Sequence, residues 1–249
     1  MLRARGALLR ALLPLLLIAG CHSAAADPEP LLPDLPVARI ALMSSLPLVY
    51  GDAPDVQAVI AGEGDPHPFY LALNDAHQLV VLDALLPDAL GDIDLLILIQ
   101  PRALAPEGLV ALDGFVRGGG RALIFTDPDL QWESGLGFGD PRGPLRSGLL
   151  APLLAHWGLE MVDPELGAVT LPKSGATLVK PGQFTSVSGK TGDGACTLAE
   201  SAQMARCTPG AGRAILVADA DLLDPDLIAP EAAGATQNRR FIAGLVREL

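Results

Sequence analysis

The stretch Asp92–Asp129, DIDLLILIQPRALAPEGLVALDGFVRGGGRALIFTDPD, decides the fold class. Its apolar run Leu95–Gln100 lacks polar alternation, which marks a strand buried on both faces of a parallel sheet. Pro101 and Pro106 punctuate the start of a helix over Glu107–Arg117. Leu109, Leu112, Phe115 and Val116 recur there at helical spacing. Gly118-Gly119-Gly120 ends that helix, because glycine past the last turn adopts a backbone that other residues resist. A second apolar run, Ala122–Thr126, follows and is stopped by Asp127-Pro128. Strand, helix and strand in succession make a βαβ unit, whose two strands lie parallel.

Further strands are expected at Val37–Leu42, Gln78–Leu82, Leu159–Val162 and Arg213–Ala218. Helices are expected at Phe69–His77, Leu149–Trp157 and Phe241–Leu249. Ser44–Gly51 reads as the loop after the first strand, and residues 53–77 are Gly/Pro-rich in their middle and read as irregular before the helix. Residues 165–209 form a smaller β-rich section, with turns at Lys173-Ser174-Gly175, Pro181-Gly182 and Gly192-Asp193-Gly194. The expected architecture is α/β: a mostly parallel sheet flanked by helices, a flavodoxin-like three-layer sandwich, with a small C-terminal β-hairpin excursion on one edge. It is expected as one domain over residues 37–249.

Composition narrows the function classes. Half of the 249 residues are apolar, ample for a core, so disorder is excluded. Seventeen Lys and Arg against 29 Asp and Glu give a net charge of −12. A chain that repels phosphate overall is not expected to bind nucleic acid.

The first twenty residues, MLRARGALLRALLPLLLIAG, read as a secretory signal peptide: a basic segment with Arg3, Arg5 and Arg10, then an apolar stretch too short to span a bilayer. Its end, Ile18-Ala19-Gly20-Cys21, resembles the lipobox of bacterial lipoproteins. That resemblance implies that Cys21 becomes a lipidated N-terminus and anchors the chain to a membrane. His22, in place of Asp, resembles the sorting pattern for the periplasmic face of the outer membrane, with the inner membrane as the alternative. Cleavage before Cys21 removes three of the 17 cations, so 14 face 29 acids and the mature charge is −15. Residues 21–36 are acidic and Pro-rich and read as an extended tether. In an oxidising compartment Cys196 and Cys207 can close a short disulfide loop. A catalytic thiol is the alternative reading, although no histidine lies near either cysteine in sequence.

A second resemblance begins in Asp92–Asp129 and continues through LLAPLLAHWGL at 149–159, GAGRAILVADAD at 210–221 and QNRRF at 237–241. These segments resemble the soluble domain of GldG-like auxiliary proteins of ABC-type transport systems, which have a class I glutamine-amidotransferase-like fold. The resemblance implies association with a permease and ATPase, or with other envelope proteins. An amidotransferase needs a Cys nucleophile where the strand turns into its loop, and here Gln100-Pro101-Arg102 stands instead, so the resemblance implies the fold without that catalysis.

Strand ends carry the candidate site. Ligands of open α/β sheets bind outside the carboxyl ends of the strands. The first such end holds Gln100, the second Asp127 and Asp129, the last Asp219 and Asp221, with Asn238 and Arg239 beside them. These carboxylates could face a ligand, or cap the following segments through backbone N–H groups. The four histidines are too scattered for a metal centre, and no cofactor or metal is expected. The function expected is a lipid-anchored, non-catalytic periplasmic binding or scaffold component of an ABC-type system. The alternative is a degenerate hydrolase or a small-ligand-binding protein using the Asp127/Asp219 rim.

Overall fold

The computed structural model describes residues 31–32, 36–51, 53, 55–136, 139–140, 143–162, 165–187 and 194–249. Strand β1 (Arg39–Ser44) is followed by α1 (Val56–Ala61), α2 (Pro68–Ala76), β2 (Gln78–Val81), β3 (Leu95–Ile99), α3 (Pro106–Arg117) and β4 (Arg121–Phe125). Next come α4 (Ala151–His156), β5 (Leu159–Val162), β6 (Ala168–Thr170), β7 (Thr177–Val179) and β8 (Gln183–Ser186). The chain closes with β9 (Gly194–Ala199), β10 (Met204–Pro209), β11 (Arg213–Val217), α5 (Pro225–Ile228) and α6 (Ala235–Glu248).

Seven strands form the main sheet in the order β2-β1-β3-β4-β11-β10-β9. The five from β2 to β11 run parallel, and β9 and β10 add an antiparallel hairpin at one edge. This is the mainly parallel α/β sheet with an edge hairpin expected from the apolar runs. All five side chains of β3 are buried, as a central strand covered on both faces requires. Alternate residues supply two cores. Ile97, Phe125 and Val217 face one layer with Phe69 of α2 and Ile242 of α6. Leu98, Ile124 and Leu216 face the other with Leu112 of α3 and Trp157 after α4.

Strands β1, β4 and β11 each open on arginine, and Arg121 and Arg213 stand opposite each other in register. Arg121 Nη1 donates to the Leu249 carbonyl at 2.6 Å, and Arg213 Nη1 donates to that of Glu248 at 3.4 Å. Positive charge at the carbonyl end of a helix opposes its dipole favourably, so these strand starts fasten the end of α6.

Several boundaries differ from expectation for identifiable reasons. Helix α1 lies in a segment expected to be irregular; Asp55 caps it by accepting Ala58 N–H at 2.9 Å, and Gly62, at φ 73°, ends it. Helix α6 starts six residues earlier than expected, because its buried stripe includes the polar Asn238 and so hides the apolar period. The tether expected over 21–36 does not run free to its end. Leu31 and Leu32 are 5% and 6% exposed and belong to the core beside α2 and α6.

Cys196 and Cys207 form a disulfide across the edge hairpin, where they stand directly opposite in the β9–β10 register. Closing a loop this short stabilises by about 2–3 kcal/mol through the unfolded chain. The double substitution Cys196→Ser with Cys207→Ser is expected to lower Tm by roughly 5–10 °C in a thermal melt. Adding reductant to the wild-type chain should reproduce that fall, and the double variant should not respond to it.

Candidate functional site

The strand ends hold most of the expected rim residues, and their side chains are directed at the protein's own backbone. Gln100 leaves β3 with φ 43°, a left-handed conformation that costs energy for a residue bearing Cβ. Its N–H still donates to Phe125 O at 2.8 Å. Its side chain then replaces the ladder the turning backbone abandons. Oε1 accepts from Asp127 N at 2.8 Å, and Nε2 donates to Asp127 O at 3.1 Å and Leu145 O at 3.0 Å. The Gln100 carbonyl accepts the Ser45 hydroxyl at 2.5 Å, which ties β1 into the same junction.

Asp127 follows β4 and is fully buried. Oδ1 accepts the N–H of Asp129 at 2.8 Å and Oδ2 that of Ala220 at 3.1 Å, so one carboxylate holds the exits of β4 and β11 together. Asp219 repeats this one strand over. Oδ1 accepts from Leu222 N at 2.5 Å, capping the 3-10 turn Asp221–Leu223, and Oδ2 accepts from Val179 N at 2.6 Å at the end of β7. Asp221 Oδ2 accepts from Gln131 N at 2.7 Å. Asn238 on α6 bridges β7 and α5: Oδ1 accepts Thr177 N–H at 2.7 Å, and Nδ2 donates to the carbonyls of Thr177 and Leu227, each at 3.3 Å. Arg239 Nη1 donates to Ile228 O at 3.1 Å. Asp129 is the exposed member and pairs with Lys180 at 3.4 Å.

Asp127, Asp219 and Asp221 therefore gather at the β4 and β11 exits, while Gln100 reaches them through the backbone of Asp127. Burial pushes Asp127 up to about 7, against the pull of the N–H groups of Ala220 and Asp129. Burial also carries Asp219 well above the usual carboxylate range, reinforced by the charge of Asp127. Asp221 rises to about 6, again through burial first. Among the described residues no group of three or more His, Cys, Asp or Glu side chains could hold a metal ion. The histidines serve locally. His67 caps α2 by accepting Phe69 N–H at 3.1 Å and packs against Trp132, His77 accepts Ala38 N–H at 3.3 Å, and His156 faces Asp113 at 3.4 Å.

A second site arises from strand order. The sheet runs to β2 on one side of β1 and to β3 on the other, so the β1/β3 junction is a topological switch point. A cavity of about 500 Å³ opens there at the carboxyl ends. The loop after β1 (Ser44–Gly51), Leu82 and Asp83 after β2, Arg102 after β3 and Val59 of α1 border it. The sequence placed Ser44–Gly51 as the loop after the first strand and Arg102 beside Gln100, but nothing in it announced a cavity between them. The nearest signal was a loop unusually rich in apolar residues, Leu46-Pro47-Leu48-Val49-Tyr50, directly after a strand.

A mostly parallel, three-layered α/β domain with its acidic strand ends closed and a cavity at the switch point is the class this fold defines. The chain belongs to a family described as an ABC-type uncharacterized transport system, whose model matches residues 38–188. No curated protein matches it. Among solved structures it is similar to a cytoplasmic protein from Salmonella typhimurium LT2, at 10% identity and a TM-score of 0.49, covering 84% of this chain and 98% of that one. It is also similar to an exo-β-1,4-mannosidase from Opitutaceae bacterium strain TAV5, at 14% identity and a TM-score of 0.44, where it covers 84% of this chain but only 36% of the enzyme. A GH42 β-galactosidase from G. stearothermophilus matches at 14% identity and a TM-score of 0.46, over 86% of this chain and 30% of that one. Likeness this distant carries no functional argument.

Proposed function

We propose that this chain is a lipid-anchored, non-catalytic auxiliary subunit of an ABC-type transport system, held on the periplasmic side of a membrane by Cys21. The family match over residues 38–188 carries the reading. Three features support its finer parts. The segment Ile18-Ala19-Gly20-Cys21 has the lipobox pattern that follows a signal peptide. The Cys196–Cys207 disulfide suits an oxidising compartment. Gln100 occupies a strained turn at the end of the central strand, where a true amidotransferase would carry its Cys nucleophile, and spends its amide on the backbone.

Burial of Leu31 and Leu32 sets the reach of the anchor. Only residues 22–30 are left to separate the lipidated cysteine from the packed domain, a span of about 30 Å when extended. The domain then rides close to its own bilayer. A tether this short cannot cross the periplasm, so contact with a permease places the anchor in the inner membrane, whereas His22 favours the outer one. Density-gradient separation of the two membranes reads this directly. Affinity capture of the tagged chain from solubilised membranes is expected to recover an ABC ATPase and permease. Repeated capture without either component, from cells that contain them, would overturn the reading. Cys21→Ser is expected to leave the chain unprocessed or to release it from the membrane fraction, seen by fractionation and by the mass of its N-terminus.

A further inference from the structure

We propose that the outer edge of β2, with the cavity beside it, binds an extended segment of a partner protein in which apolar side chains alternate with lysine or arginine. β2 ends the sheet, so one of its two sides has no strand against it. The N–H groups of Gln78 and Leu82 donate to Ala38 O and Leu42 O on the β1 side, at 2.9 and 2.8 Å. Strand geometry alternates these directions, so Leu79 and Val81 turn their N–H and C=O groups to the outer side. Among the described residues nothing accepts the N–H of either. Natural proteins blunt such edges with a charged side chain or a proline, and Gln78–Val81 carries neither. A segment laid along β2 passes the cavity of about 500 Å³, which Val81 and Leu82 line. Leu46, Val49 and Val59 offer it an apolar wall, and Tyr50 and Val81, 61% and 45% exposed, would leave water on contact.

Charge sets the chemistry of the partner. Between Arg39 and Arg102 the chain has no lysine or arginine. Asp75 precedes β2 and Asp83 follows it, both exposed, so a carboxylate stands beyond each end of the strand. Asp55 adds another at the cavity border, and exposed Asp65 packs its backbone against Gly51 of the same wall. Among the described residues no ion pair engages Asp55, Asp75 or Asp83. Arg102, the cation of the cavity lining, already donates to Gly143 O at 3.0 Å. Cations along the segment therefore meet these carboxylates while its apolar side chains meet the cavity wall. A second copy fits poorly, because β2 laid against β2 sets Asp75 and Asp83 against like charge. Anionic lipid headgroups are repelled by the same groups. This inference rests on the β2 edge and does not depend on the transport reading.

Fluorescence anisotropy with labelled heptapeptides tests it on the wild-type chain, purified from the fraction that holds it and, where lipidated, kept in nanodiscs of neutral phosphatidylcholine with empty discs as the blank. Lysine alternating with leucine is expected to bind, and glutamate alternating with leucine is not. Lysine alternating with serine should bind about tenfold more weakly. The lysine–leucine peptide N-methylated at every residue cannot pair with a strand and should fail to bind. Val81→Arg should weaken the lysine–leucine peptide about tenfold, and Leu198→Arg, on the opposite edge strand β9, should leave it unchanged. Asp75→Asn with Asp83→Asn should weaken it about fivefold and remove most of its salt dependence. Hydrogen exchange should show the Leu79 and Val81 amides protected only with peptide bound, and circular dichroism confirms that each variant folds. The proposal is overturned if the lysine and glutamate peptides bind alike, if the N-methylated peptide binds as well, if folded Val81→Arg or the double asparagine variant binds as wild type, or if no peptide binds. It is overturned equally if disc lipid alone protects those amides, or if mass photometry shows a peptide-free dimer that Val81→Arg splits.

Discussion

Replacing Asp219 by alanine is expected to lower Tm by roughly 10–15 °C, a loss of about 3–5 kcal/mol. The side chain is fully buried, and its two oxygens accept the N–H groups of Leu222 and Val179. Alanine leaves both donors buried without an acceptor and adds a small void. Relief of a desolvated charge offsets part of this, because burial and the neighbouring Asp127 already disfavour the ionised form. Asparagine distinguishes the contributions. It keeps one acceptor but turns an NH₂ toward the other N–H, so Asp219→Asn should fall between wild type and alanine. Urea unfolding read by circular dichroism measures both. An Asp219→Ala variant as stable as wild type would remove the clamp from the account of this fold and reopen the strand ends as a ligand rim.

Stability is expected to peak in mildly acidic solution and to decline toward pH 8. Burial raises Asp127 to about 7 and Asp221 to about 6 in the folded state, from a carboxylate value of 3.8, and Asp219 shifts the same way. Between pH 4 and 7 the folded chain thus binds more protons than the unfolded one. Stability from these groups is present below 3.8 and is lost as pH rises through the folded values. His67 works in the opposite direction. Burial lowers it from 6.5 to about 4, so its contribution is present above 6.5 and lost as pH falls toward 4. Its Nδ1 must also stay unprotonated to accept the Phe69 N–H that begins α2. Three acids oppose one histidine, and the net slope between pH 5 and 7 is downward by several kcal/mol at most. Thermal melts across pH 4–8 measure it. Asp127→Asn should flatten the fall of the profile toward pH 8, and His67→Gln, by removing the one opposing group, should steepen it between pH 4 and 6.5. A Tm that climbs steadily to pH 8 would contradict the assignment.

The sheet was legible because its signals are local and repeated. Leu95–Ile99, Arg121–Phe125 and Arg213–Val217 are apolar runs that only a strand covered on both faces can bury, and Gly118–Gly120 stops the helix between the first two. The edge hairpin was legible too, from two cysteines a short loop apart in a turn-rich section. Other elements gave weaker patterns. Helix α1 is six residues long and sits among glycines and prolines, and the buried face of α6 carries Asn238 where an apolar residue would have revealed the period.

From its residues alone, most of this chain's order of strands and helices and its acidity could be read, because each rests on composition or on spacing along one segment. Tertiary structure alone decided what the carboxylates do. An aspartate after a strand can face a ligand or bind backbone, and the choice depends on which N–H groups arrive from elsewhere. Val179 comes from β7 and Ala220 from the exit of β11, and no spacing near Asp219 or Asp127 announces either contact. The cavity has the same origin. Leu46, Leu82 and Arg102 follow three different strands, and they meet because β1 lies between β2 and β3.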